Sequence, residues 1–136
     1  METLKTNILN LVSGEHQSVY SLAKQVLVGI ESEEVTPESK TAAKLFNAMI
    51  RWADARKDIS ESFDSLIRIC QSEQALVQTN RNIDSGWVQT DNLNRSINEA
   101  QKRQDEIHTL CWVAGLNPDE INKLYKQISS LINFNK

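Results

Sequence analysis

The middle of the chain carries a hydrophobic pattern that advances alternately by four and three residues. The pattern runs through Leu45, Met49, Trp52, Arg56, Ile59, Phe63, Leu66 and Cys70. This spacing is the heptad repeat of coiled-coil helices, in which one seam faces a partner. Thr36 and Pro37 form a helix start, with Thr as N-cap and Pro at the first helical position. We therefore predict one helix from about 37 to 78.

A competing signal lies in the middle of this helix. Asp58 and Glu61 have the spacing of a capping box, and Arg56 and Lys57 suit the end of a preceding helix. The alternative is two helices joined at Lys57 and Asp58. We favour one helix because the heptad continues through this point, and because no Gly, Asn or Pro lies near residue 57.

A second heptad follows a segment, residues 79–86, that is rich in turn-forming residues. It runs through Leu93, Ile97, Ala100, Gln104, Ile107, Cys111 and Ala114. This repeat predicts a helix from about 86 to 114. Because the two heptad helices are joined by a short connection, we expect them to fold back as an antiparallel hairpin.

The position of the turn gives an approximate pairing of the two helices. With the turn centred near residue 82, Trp52 is expected opposite Cys111. Cys70 and Cys111 then lie at different levels of the hairpin, so no disulfide is expected between them. The remaining helices would cover the end of the hairpin that contains Trp52 and Trp112.

Three more helices are predicted from apolar residues at helical spacing. They cover residues 2–13, residues 16–30, and a final segment that begins with the capping box in 117–120 and ends near 133. The predicted fold is all-α, a helical bundle of about five helices built on a long antiparallel coiled-coil-like hairpin. We expect residues 1–136 to form one domain.

Composition and charge narrow the classes of function. Four Gly and two Pro in 136 residues leave little material for turns, which favours few, long helices. The net charge of -3 argues against binding of nucleic acid. Residues 1–38 are mainly acidic and residues 39–57 mainly basic. We expect two solvated faces of opposite sign, and the alternative is that these stretches contact each other or a partner.

No residue pattern implies a cofactor, a metal, a small-molecule ligand or a catalytic site. Cys70 and Cys111 lack metal-ligand spacing, and the chain contains no Gly-rich phosphate loop. No leader sequence and no apolar stretch of about eighteen residues is present, so we expect a cytoplasmic protein that does not enter a membrane.

The predicted pairing places polar residues inside the apolar seam. Arg56 falls opposite His108, and Ser60 falls opposite Gln104. The carboxylates at 105–106 are near enough to pair with the arginine. Polar layers of this kind set register and partner choice in coiled coils, so we expect a structural role for these four residues.

A catalytic alternative comes from the segment Arg103-Gln104-Asp105-Glu106-Ile107-His108. It resembles the R-x4-H motif of the HEPN ribonucleases, small helical bundles that often dimerise. The resemblance implies a metal-independent ribonuclease in which Arg103 contacts phosphate and His108 acts as the acid–base group. The segment departs from the family pattern by having Gln, rather than Asn or Asp, after the arginine.

The three tryptophans point to binding of a protein. Trp52 and Trp112 are expected in the core. Trp87 lies off the apolar face of its own helix, and an exposed tryptophan is a common anchor for a partner. We expect a small interaction protein, such as an adaptor, inhibitor or immunity-type factor, that associates with itself or with another protein. Binding is thus favoured over catalysis.

Overall fold

The computed structural model describes residues 1–30, 35–78 and 85–132, and for residues 69–78 and 85–89 it describes the backbone alone. These ranges contain α1 (Glu2–Ser13), α2 (Val19–Lys24), a 3₁₀-helix (Gln25–Leu27), α3 (Pro37–Gln78), α4 (Ser85–Val113) and α5 (Pro118–Leu131). The helices α3 and α4 pack along each other as a hairpin. The predicted all-α bundle of about five helices is confirmed.

The long helix α3 is continuous. Its 42 residues pass through Lys57 and Asp58 without a break, so the alternative of two helices is wrong. Asp58 is exposed on the surface of the helix and does not start a new one. The helix begins as predicted, because the hydroxyl oxygen of Thr36 accepts a hydrogen bond of 3.1 Å from the backbone N–H of Ser39.

The second helix is shorter than the predicted span of 16–30. After α2 the chain continues as the 3₁₀-helix and then reaches Gly29, whose φ of 73° is left-handed and stops a helix. The side-chain amide of Asn7 on α1 donates hydrogen bonds to the carbonyl oxygens of Val26 (3.2 Å) and Val28 (2.7 Å). Asn7 therefore satisfies two backbone carbonyls at the point where the helix ends.

The final helix begins at the predicted capping box. The side-chain oxygen of Asn117 accepts from the backbone N–H of Glu120 at 2.8 Å, and the Glu120 carboxylate accepts from the backbone N–H of Asn117 at 3.0 Å. Gln127 on α5 donates to the carbonyl oxygens of Val12 (2.8 Å) and Gly14 (3.1 Å). These bonds fix α5 against the end of α1.

The core lies at one end of the hairpin. We call this end the body: it consists of residues 1–30, residues 37–57 of α3, residues 100–113 of α4, and residues 114–131. Its largest fully buried side chains are Leu4, Ile8, Leu11, Leu22, Val26, Leu45, Met49, Ile107, Leu116, Ile121, Leu124 and Ile128. The rest of the hairpin, residues 58–78 and 85–99, is called the arm.

The two tryptophans expected in the core differ. Trp52 is only 2% exposed and packs against Tyr125 of α5 with ring centroids 5.3 Å apart, as predicted. Trp112 is 62% exposed, so its prediction was wrong. It follows the buried Cys111 and points about 100° away around the helix, off the seam. Cys111 is a free thiol; the side chain of Cys70 lies outside the described residues.

The pairing of α3 with α4 differs from the predicted one. One surface cavity of about 350 Å³ lies between the two helices, lined by Arg51, Asp54, Ala55, Asp58, Arg95, Ser96 and Glu99. Gln104, and not His108, lines a groove together with Trp52 and Arg56. These linings bring residues of α4 next to residues of α3 other than the predicted ones.

Candidate functional site

The four residues of the predicted polar layer do not form a layer closed off from solvent. Gln104 and His108 are exposed, while Arg56 and Ser60 are half-buried. Gln104 lines a groove together with Arg56, whereas His108, which was expected opposite Arg56, does not line it. Arg56 and Gln104 therefore lie together at the surface of the hairpin.

Arg56 has an unusual electrostatic environment. Its guanidinium lies over the ring of Trp52, 5.1 Å from the ring centroid, a cation–π contact. The ion pair expected with the carboxylates at 105–106 is absent among the described residues, and Glu106 instead bonds to Arg103. Arg56 is thus a cation without a carboxylate partner in the described parts of the chain.

A groove runs beside Arg56 where α3, α4 and α5 meet. This basic groove has a volume of about 460 Å³ and is lined by Trp52, Arg56, Gln104, Tyr125, Lys126, Ser129 and Ser130. Two of these side chains are cations and none is a carboxylate. The groove therefore offers positive charge and hydrogen-bond donors to whatever enters it.

Tyr125 forms the contact that joins α5 to α4 across the groove. Its hydroxyl donates a hydrogen bond of 2.8 Å to the carbonyl oxygen of Gln104. Burial raises the pKa of Tyr125 to about 12, and the neighbouring Cys111 and Asp105 act in the same direction. The phenol therefore stays neutral and keeps its proton on the Gln104 carbonyl at physiological pH.

Trp52 contributes an unsatisfied donor to this region. Its indole Nε1–H is buried and finds no acceptor within the described residues. An unpaired buried donor costs about 1–3 kcal/mol, so most native proteins avoid one. Because the nitrogen itself is closed off from solvent, this donor is a cost to the fold and not a contact open to a ligand in the groove.

The arm exposes apolar side chains that the body would bury. Phe63 is 56% exposed, Ile67 is 45% exposed and Ile97 is 42% exposed. Phe63 lies one heptad beyond Arg56, and Ile97 lies one heptad before Gln104. Because a heptad restores the same face of each helix, these apolar residues continue the face on which Arg56 and Gln104 meet. We call Phe63, Ile67 and Ile97 the apolar strip.

The surroundings of the apolar strip carry little charge on the α4 side. Its exposed neighbours there are the uncharged residues Asn94, Asn98 and Gln101. On α3 a shallow cavity of about 320 Å³ joins the strip to the basic groove; it is lined by Arg56, Ile59, Ser60, Phe63 and Asp64. The groove therefore adjoins the strip at Phe63.

The residues of the R-x4-H motif lie apart from this groove. The Nε of Arg103 donates to Glu99 at 2.7 Å and its second nitrogen donates to Glu106 at 2.8 Å. The hydrogen bond from Arg103 is the main reason that the pKa of Glu99 is lowered, and these carboxylates raise the pKa of Arg103. Contact with phosphate would require displacement of both carboxylates. His108 is exposed, and the ribonuclease interpretation stays a prediction.

The structure does not test the proposed anchor Trp87. Position 87 lies in the first turn of α4, but its side chain is outside the described residues. Within the part of the chain that is described, no helix has both the length and the apolar character of a membrane span. In the same ranges, His, Cys, Asp and Glu residues form no cluster of three or more that would hold a metal.

Several residues of the groove were missed at the level of sequence. Lys126, Ser129 and Ser130 come from α5, which is distant in sequence from Arg56 and Gln104. The helical pattern placed Tyr125 on the core face of the last helix, but it gave no sign that the ring would stack on Trp52. No local spacing encodes a site assembled from three separate helices.

Comparison of the chain with known proteins identifies no similar protein. No protein-family model matches the chain, and no curated protein or solved structure is significantly similar to it. The function must therefore be inferred from the geometry of the hairpin face.

Proposed function

We propose that the protein is a protein-binding module rather than an enzyme, and that it associates with a second copy of itself through the apolar strip. The observation that carries this proposal is the exposure of Phe63, Ile67 and Ile97 along one face of the arm. Contiguous exposed apolar residues commonly mark interfaces between proteins.

The length of α3 points in the same direction. A helix of 42 residues spans about 63 Å. A compact globule of 136 residues has a diameter of only about 37 Å. The arm thus extends beyond the body, where no other described helix covers it.

A second copy is the occupant that best fits the strip. In a two-fold dimer the same face meets itself, so like charges on that face would lie opposite each other. The α4 side of the strip avoids this problem, because Asn94, Asn98 and Gln101 are uncharged. Two arms packed together would form a four-helix bundle, which buries the seams of both hairpins.

A cytoplasmic location is part of the proposal. Cys111 is a buried free thiol, which is typical of proteins from reducing compartments. The finer roles of adaptor, inhibitor or immunity-type factor would each use the same kind of helical surface.

The mass of the protein in solution tests self-association directly. Light scattering coupled to gel filtration at micromolar concentration should give twice the mass of 15.5 kDa for the parent chain. A variant with Phe63→Asp and Ile67→Asp should be a monomer, because burial of two carboxylates without partners costs several kcal/mol.

A matched control uses an exposed apolar residue of the body. Val28 is 53% exposed, close to the exposure of Phe63, and Val28→Asp should leave the dimer intact. A parent chain that is monomeric at these concentrations would contradict self-association. Loss of the dimer in Val28→Asp as well would show that the strip is not its specific contact.

A further inference from the structure

We propose that the basic groove is a second binding site, which takes an acidic peptide segment of a protein partner through its side-chain carboxylates. The groove belongs to the body of the molecule, so this proposal does not depend on self-association through the arm.

The charges of the groove define the chemistry of the ligand. Arg56 and Lys126 line it, and no carboxylate does. Within the described residues Arg56 contacts only the Trp52 ring among charged or aromatic groups, so its guanidinium hydrogens remain free for an anion. Asp105 acts on Tyr125 electrostatically, but it does not line the groove. A negatively charged ligand is therefore the complementary one.

The hydrogen-bonding groups favour a ligand rich in acceptors. The side chains of Arg and Lys only donate. Arg56 and Lys126 therefore bring hydrogen-bond donors, and no acceptors, to the groove. The hydroxyl of Ser130 already donates to the carbonyl of Gln127 at 2.8 Å. A carboxylate has two oxygens that accept, which fits a guanidinium better than any neutral group does.

The open shape of the groove favours a peptide over a free small anion. A single ion pair in a solvated groove contributes little to affinity, because water and salt screen it. A peptide carries several carboxylates and also offers its backbone to the amide of Gln104 and the hydroxyl of Ser129. Nucleic acid is disfavoured, since the net charge of -3 opposes a polyanion over any larger surface.

Binding of a labelled acidic peptide tests the proposal. Fluorescein-labelled octaglutamate is titrated with the full-length chain at low ionic strength, and fluorescence anisotropy is measured. We expect binding that weakens by about fivefold in Arg56→Gln and in Lys126→Gln. Lys123→Gln is the matched control, because Lys123 is exposed on the same helix but does not line the groove. It should bind octaglutamate as the parent does.

A second readout follows the groove itself. In the variant Trp87→Phe with Trp112→Phe, Trp52 is the remaining tryptophan of the three, and octaglutamate should change its emission. Thermal unfolding of each variant confirms that the fold is retained. A variant with the neutral substitutions Phe63→Ser and Ile67→Ser should bind octaglutamate at least as well as the parent, which separates this site from the apolar strip.

Three results would overturn the proposal. They are no binding of octaglutamate to the parent chain, an equal loss in Lys123→Gln and Arg56→Gln, and binding of free glutarate as tight as that of octaglutamate. The last result would assign the groove to a small dicarboxylate instead of a peptide segment.

Discussion

The body and the arm carry the same heptad on the same helix, yet they treat it differently. Leu45 and Met49 are completely buried in the body. Phe63 occupies an equivalent heptad position in the arm and is 56% exposed. The heptad periodicity thus determines which side chains lie on the same face of the helix. The number of neighbouring helices determines whether that face is buried from solvent.

The cause lies in the number of helices around the seam. In the body, α1, α2 and α5 pack around α3 and α4 and cover the parts of the seam that these two helices would leave exposed. In the arm the described helices are α3 and α4 alone. Two helices bury only the line where they touch and leave the flanks of large side chains in water. The body therefore has a buried core, whereas apolar side chains of the arm remain exposed in the single chain.

The largest expected effect is a difference between core truncations in the two regions. Leu45→Ala should lower the free energy of unfolding by about 2–5 kcal/mol, because it leaves a cavity among fully buried side chains. Phe63→Ala should cost less than about 1 kcal/mol, since most of the ring is already in water. Urea denaturation followed by circular dichroism measures both values.

This comparison requires dilute protein, because association would stabilise the parent through mass action. Repeating the measurement at higher protein concentration makes the comparison more specific. The loss of unfolding free energy caused by Phe63→Ala should then rise, and it should rise by more than the loss caused by Leu45→Ala. Equal costs at low concentration would mean that the arm has a core of its own.

Much of the fold follows from pattern alone. The heptad and the lack of Gly, Asn or Pro near residue 57 correctly predict one helix through Asp58, against a local capping signal. The capping box at Asn117 correctly predicts the start of α5. These features are local or strictly periodic, so the information lies in neighbouring residues.

The register and the site could not be predicted in the same way. The heptad shows which side chains face the partner helix but not which residues lie opposite each other, so it could not show that Gln104, and not His108, lines a groove with Arg56. That neighbour of Arg56 depends on contacts between segments far apart in sequence, which composition and spacing do not contain. Trp112 differs, because it lies about 100° around its helix from the buried Cys111, so the spacing itself could have indicated its exposure.

A smaller effect, the loss of stability at alkaline pH, should report how well the core of the body excludes water. Burial raises the pKa of the Cys111 thiol from 9.0 to about 12. At a pH between these two pKa values the folded chain keeps the thiol proton, whereas the unfolded chain loses it. The free energy of unfolding therefore falls as the pH rises above 9. At pH 10, one unit above the unfolded value, the loss is about 1.4 kcal/mol.

Unfolding measured at pH 8 and pH 10 tests this result, with Cys111→Ala as the matched variant. The alanine variant lacks the titrating thiol and should lose less stability over the same interval. Tyr125 also has a pKa raised to about 12, from 10.0, and adds a smaller loss common to both proteins. Identical losses in the two proteins would show that water reaches the thiol, and the contrast with the arm would weaken.

The smallest effect concerns the junction between the two regions. Arg103 in the body holds Glu99 of the arm at 2.7 Å and Glu106 of the body at 2.8 Å. Because both carboxylates remain partly exposed, Arg103→Gln should lower the free energy of unfolding by less than about 1 kcal/mol, and by less still in high salt.

The pH dependence identifies the ion pair as the source of this loss. Since Arg103 holds the pKa of Glu99 below its ordinary 4.5, the stabilisation is present above that value and disappears as pH falls through the lowered pKa. The stabilities of parent and Arg103→Gln should therefore converge in acid. A difference that persists unchanged at pH 3 would instead mean that the aliphatic stem of Arg103, packed at the junction, stabilises the base of the arm.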